Sequence, residues 1–212
     1  MEVSPFWLVL FLAVPFNSIG APAKEKILTR TRAVLRKMDI ASNGGRTRLE
    51  DLIFDTRRAY AEEFFGDPLE SRQVEIRGLE RLSQDMTIET FVKKAYKQLS
   101  IFYAVLQDIL DHWPHGFERS GSKLLFRKIV DINEKIGELK DDARKPVLWL
   151  SARDSASDSV FPSTNISQPT EVWNQSAYRQ NKWILGVLGE VETSIRYLLT
   201  EITNFSRVKN RR

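Results

Sequence analysis

The stretch from Tyr178 to Phe205 constrains the fold of this chain more than any other. Ile184, Leu188, Val191, Ile195, Leu198, Ile202 and Phe205 follow one another at intervals of 4, 3, 4, 3, 4 and 3 residues. Side chains three and four positions apart lie above one another on an α-helix, so all seven fall on one stripe. A stripe that long must be covered, and other helices packed alongside are the natural cover. An all-α chain follows.

Three earlier stretches repeat the pattern. From Thr47 to Phe65, the residues Leu49, Leu52, Ile53, Tyr60, Phe64 and Phe65 make an apolar face that Gly66-Asp67-Pro68 ends. Thr87 is a natural cap for a second helix, with Glu89 in its first turn where the helix dipole favours a carboxylate. Val92, Tyr96, Leu99, Phe102, Leu106, Ile109 and Trp113 line that helix. Ser122 is placed to cap a third, carrying Leu125, Ile129, Ile132, Ile136 and Leu139 and closed by Asp142 to Pro146. The fourth is expected to start near Thr170. Between the first two, Ile76, Leu79 and Leu82 suggest a short helical turn lying on the bundle.

Connection lengths then bear on topology. The links before the second and fourth helices are long, and the one at Pro114 to Gly121 is short. A helix of about 26 residues is ~39 Å long. An extended link of about 20 residues spans ~60 Å or more. Both outer links can therefore run the length of the bundle, whereas the middle one forces antiparallel neighbours. The expected fold is a long-chain up-up-down-down four-helix bundle with two long crossover loops.

Phe6 to Phe16 is an apolar run of 11 residues, too short to span a bilayer, and Ala21-Pro22-Ala23 supplies the small residues of a cleavage site. Residues 1–23 thus read as a signal peptide, despite Glu2 and the lack of Lys or Arg. Secretion to the extracellular space without membrane insertion follows. Residues 24–46 form a basic extension with Lys24, Lys26, Arg30, Arg32, Arg36 and Lys37, expected to lie outside the main core. Residues 47–206 make the helical domain, and 207–212 a basic tail with Arg207, Lys209, Arg211 and Arg212. Roughly 190 residues can bury a core without disulfides, and the chain has no cysteine, which excludes thiol chemistry. Removing residues 1–23 takes away only Glu2, so the formal charge rises from +4 to +5. That is mild for a nucleic-acid binder, and no nucleic acid is expected as partner. The basic ends would attract heparin-like polysaccharide, or are simply solvated.

No nucleophile–base pair, phosphate loop or dinucleotide fingerprint occurs, so the chain is read as a non-enzyme without cofactor or metal. His112 and His115 flank Trp113-Pro114 with no third ligand evident and read as helix-end cations. Sequons at Asn165, Asn174 and Asn204 are candidate glycosylation sites. Trp173, Tyr178 and Trp183 stand off the apolar seam. Aromatics dominate interface energetics, so they mark a candidate partner surface; Trp183 could equally tuck beneath the preceding loop.

Three segments resemble a known group. Asp51-Leu-Ile-Phe-Asp-Thr-Arg-Arg leading to Phe64-Phe65-Gly66-Asp67-Pro68 is similar to a first helix and its exit; Ala95-Tyr96-Lys97 through Leu110 to a second; Tyr178-Arg-Gln-Asn-Lys-Trp-Ile-Leu-Gly-Val-Leu to a fourth. Together they resemble the long-chain cytokines that include ciliary neurotrophic factor, leukaemia inhibitory factor, oncostatin M and the cardiotrophins. The resemblance implies a secreted ligand, a monomer before receptor binding, that brings cell-surface cytokine receptors together and triggers kinase and transcription-factor signalling. In that group a Phe, and a Lys three residues later, meet a receptor at the start of the last helix. The matching positions are Tyr178 and Asn181, with Lys182 one place out of register, and Trp173 lies just upstream. Independently of the resemblance, an exported amphipathic helical lipid-binding or carrier protein would also carry apolar stripes behind a signal peptide.

Overall fold

In a computed structural model of the chain, residues 21–43, 48–66, 74–113, 120–151 and 172–210 are described. They form helices α1 (Ala21–Asn43), α2 (Leu49–Phe65), α3 (Ile88–Asp111), α4 (Ser120–Ser151) and α5 (Ala177–Asn210), with no strand among the described residues. The regular structure of the described residues is all-helical as expected, but with five helices instead of four.

Local chemistry explains the helix ends. Arg48 is extended before α2, and Glu50 and Asp51 occupy the first turn. Gly66 ends α2 at φ 69°, a left-handed conformation that favours glycine, and its N–H donates to the Glu62 carbonyl. The Thr87 hydroxyl accepts from the Thr90 N–H at 3.1 Å and caps α3 as expected. Residues 74–87, anticipated as a short helical turn, run as coil and turns, yet Ile76 and Leu82 are buried in the core. α4 does not close at Pro146: it continues to Ser151 with the proline inside it. Proline removes one helical hydrogen bond, but Pro146 and Val147 are buried, so packing holds the last turn. α5 starts at Ala177, later than anticipated, after a turn at 172–175.

The seven-residue stripe of α5 is entirely buried, as are Leu99, Phe102 and Leu106 of α3 and Ile129, Ile132 and Ile136 of α4. Each fully buried side chain of this kind contributes about 1.5–3 kcal/mol. Cross-helix pairs set the directions. On α3 and α4, the Lys140 ammonium lies over the Tyr103 ring, Asn133 donates to Gln107, and Trp113 meets Phe126 edge-on, so these helices are antiparallel. Phe91 near the start of α3 stacks on Phe205 near the end of α5, at 3.9 Å between centroids. Between α2 and α5, Tyr60 meets Asn181 and Glu50 meets Arg196, again antiparallel. Arg57 lies beside Gly189 and reaches Glu192 at 2.6 Å, a largely buried ion pair whose carboxylate also accepts from Arg196.

α1 departs from the expected extension. It packs on α4 and α5, the same two helices that α2 touches, and puts Leu35 and Met38 into the common core. Lys37 reaches Asp142 at 2.9 Å, and Thr203 donates to Asp39, so α1 lies against the C-terminal halves of both partners. Its buried stripe contains Thr31, a polar interruption in the apolar pattern. The Thr31 hydroxyl is satisfied inside the helix by donating to the Ile27 carbonyl at 2.9 Å, which makes its burial tolerable.

Candidate functional site

The opposite end of the bundle gathers its aromatics. α2 contributes Tyr60, Phe64 and Phe65; α3 contributes Trp113 just past its end; α4 contributes Phe126; α5 and its approach contribute Trp173, Tyr178 and Trp183. Tyr60 packs on Phe64 at 4.6 Å between ring centroids and meets Trp113 edge-on at 6.2 Å; Trp113 meets Phe126 at 5.6 Å. Such tilted and edge-to-face pairs are the favoured aromatic geometries. They join α2, α3 and α4 into one cap.

Trp173 is fixed on three sides. Its ring stacks on His112 at 4.8 Å and meets Trp183 edge-on at 5.2 Å, and its indole N–H donates to Asp108 at 3.2 Å. The same Asp108 carboxylate lies 3.2 Å from His112 Nδ1. Trp173 and Trp183 are both half-buried against the core, and Trp183 meets the turn that precedes α5 through Trp173, while the long loop at 152–171 lies outside the described residues. His112 is a stacking partner at the end of α3.

Tyr178 is different: it is 60% exposed, the most exposed aromatic side chain among the described residues. Its ring rests edge-on against Phe65 at 5.7 Å, and the half-buried Lys182 holds its ammonium 5.7 Å from the ring centroid. An aromatic held from below and open above can bury its outer face against a partner at little cost in side-chain freedom.

Asn181 belongs to the interior instead. It is 8% exposed, and its side-chain oxygen accepts from the Tyr60 hydroxyl at 2.8 Å. Burial pushes the Tyr60 phenol well above its ordinary pKa, so the ring stays neutral and donates. An amide is what this buried hydroxyl requires, and that role explains an uncharged residue at position 181. Of the four anticipated contact residues, then, Tyr178 is open with the half-buried Lys182 beside it, Trp173 is half-buried against Trp183 and against His112 at the end of α3, and Asn181 is buried on Tyr60. Phe65 and Asp108, which hold Tyr178 and Trp173 in place, are not legible as parts of this site: Phe65 reads only as core, and no pattern singles out Asp108.

Among the sequons, Asn174 is exposed in the turn before α5, Asn204 is partly buried within α5, and Asn165 lies outside the described residues. Residues 1–20 also lie outside them, and Ala21-Pro22-Ala23 falls in the first turn of α1. Among the described residues no group of three metal-ligating side chains occurs, and no helix is long and apolar enough to cross a membrane. Comparison with protein-family models, curated proteins and solved structures found nothing that matches this chain.

Proposed function

We propose that the chain is a secreted cytokine that binds cell-surface receptor chains of the shared signal-transducer type and brings them together, one of them held at its aromatic end. The observation that carries this reading is Tyr178: an exposed ring seated on Phe65 at the junction of α2 and α5. Such a fixed, uncovered aromatic anchor is what an interface hot spot needs.

The up-up-down-down reading belongs to the same proposal, with α1 and α2 together as its broken first column. It draws support from the order of the cross-helix pairs. α2 and α3 both run against α5, and α3 runs against α4. The connections at 66–87 and 152–176 would then be the two crossovers. A rigid bundle offers separate faces to separate receptors, and binding the first raises the effective concentration of the second. The ligand performs no chemistry of its own.

The test uses the purified secreted protein on cells carrying the shared receptor chain, reading transcription-factor phosphorylation. Tyr178→Ala is expected to lose the response while keeping helicity and unfolding midpoint, because the side chain is exposed. An unchanged dose–response curve for Tyr178→Ala would refute the site. Silence of the parent on every receptor combination, with helicity that rises on adding lipid, would favour the lipid carrier.

A further inference from the structure

We infer that the end of the bundle built by α1 and the C-terminal halves of α4 and α5 is a binding face for sulfated polysaccharide. Residues 24–43 carry six Lys and Arg against Glu25 and Asp39, a net +4, and residues 199–212 carry four against Glu201, a net +3. Their sum of +7 exceeds the +4 of the whole chain, so everything else is net −3. Those segments lie far apart in sequence. The fold brings residues 25–40 of the first and 199–208 of the second together.

Leu35 and Met38 anchor α1 in the core, which turns Lys26, Arg30, Arg36 and Lys37 outward; all four are exposed. The contact between Thr203 and Asp39 sets α1 against α5. Pairing of residue 60 with 181, 50 with 196 and 39 with 203 runs in opposite directions along the two columns. One turn beyond Thr203, exposed Arg207 is therefore level with Leu35 and Arg36. On the α4 side, Asp142 is shared by Lys37 at 2.9 Å and Lys145 at 3.3 Å, so one carboxylate stands between two ammonium groups. Lys37 keeps its side chain 64% exposed in that pair. The carboxylates in reach are Glu25, Glu138 and Asp141, exposed, and Asp39, Asp142 and Glu201, partly covered. Two of these, Asp39 and Asp142, are already engaged by Thr203 and by the lysine pair.

A group of exposed cations spread over three helices matches a flexible polymer with closely spaced negative groups. Sulfated polysaccharide is the extracellular polymer of that kind, and its relevance to this chain rests on the secreted reading above. Among the described residues of α1 and of the C-terminal halves of α4 and α5, the exposed large apolar side chains are Ile40, Leu148 and Tyr197, one on each helix, which makes no continuous apolar face to insert into a lipid surface.

The full secreted protein, its pair variants and a control are run on immobilised heparin and on a plain sulfonate exchanger in parallel. The parent is expected to leave heparin at clearly higher salt than the exchanger. Arg30→Gln with Arg36→Gln, and separately Arg207→Gln, weaken heparin binding roughly fivefold per removed charge. Lys123→Gln with Arg127→Gln removes two exposed cations at the other end of the bundle and is expected to leave the excess intact. Equal elution from both resins, or an equal loss in the control, overturns the inference. So does binding to phosphatidylserine vesicles without any heparin excess, which would assign the face to acidic membrane. None of these readouts involves a receptor, so failure of the receptor proposal leaves the outcome here unaffected.

Discussion

The hydrogen bond between Tyr60 and Asn181 makes a sharp prediction about what position 181 is for. Tyr60 is 1% exposed and Asn181 8%, and their bond is 2.8 Å long. Tyr60→Phe keeps the ring contacts with Phe64 and Trp113 but leaves the amide oxygen short of its donor. Asn181→Leu keeps the branched heavy-atom shape but leaves the phenol without an acceptor. Each single change strands a buried polar group, at a cost of about 1–3 kcal/mol. The double variant strands neither, because apolar groups replace both partners, so it should be less destabilised than the two singles added together by about 1–2 kcal/mol. Urea unfolding of the four proteins, followed by far-ultraviolet circular dichroism, gives the four free energies. Additivity within ~0.5 kcal/mol would refute the pairing. The same burial has a pH consequence: the Tyr60 phenol is raised in the fold, so its contribution is full below the ordinary tyrosine value near 10 and is lost as pH rises above it. Tyr60→Phe should flatten that alkaline decline.

Other expectations follow from the same coordinates. Leu35→Ala and Met38→Ala should each cost about 2–5 kcal/mol in chemical denaturation, since both side chains are fully buried; losses under 0.5 kcal/mol would mean that α1 is not part of the cooperative core. Gly189→Ala should raise stability by about 0.5–1 kcal/mol, because the added methyl would meet Arg57 only at ordinary contact distance, 3.7 Å, while the helix gains a better former. A falling midpoint would show that Arg57 needs that gap. On acidification, two carboxyls carry part of the stability. Hydrogen bonds from Lys97 and then Lys94 hold Glu80 below its usual range; at Asp142 burial pushes upward, but Lys37 and Lys145 together pull it lower still. Both contributions are present above the ordinary carboxylate range near 4 and disappear as pH falls through the lower folded values. Lys94→Met with Lys97→Met, or Lys37→Met with Lys145→Met, should therefore lose less stability than the parent between about pH 5 and pH 3. Parallel curves would refute the assignment.

The parts of the fold legible in the sequence are those written in unbroken helical spacing. The α5 stripe, the Thr87 cap and the Gly66 stop all match the coordinates because each is a local chemical preference. α1 was harder to read for two physical reasons. Thr31 interrupts its stripe with a hydroxyl that finds its partner inside the same helix, and the six cations of that segment dilute its apolar average. Pro146 was misread as a stop because the burial that carries α4 past it depends on α4's neighbours, which no local pattern records. The site shows the same division. An excess of aromatics ahead of α5 is visible in sequence, but which ring is open and which amide lies beneath it depends on Phe65 and Tyr60, more than 100 positions earlier.

The aromatic and basic ends stand far enough apart to act independently. Tyr178 and Arg207 lie on the same helix, and 29 residues at 1.5 Å each separate them by about 44 Å. Charges are screened within about 8 Å at physiological ionic strength, so a polymer at the basic end alters the potential at Tyr178 very little. Occupancy of one end should then leave affinity at the other unchanged, and any benefit of polysaccharide would come from holding the ligand near cell surfaces. Soluble heparin is accordingly expected to leave receptor affinity in solution unaltered, while heparan sulfate on the receptor-bearing cell lowers the ligand concentration needed for a response. Competition between soluble heparin and receptor for the purified protein would contradict this separation, because it would put the polyanion at the aromatic end, where the excess of cations is absent.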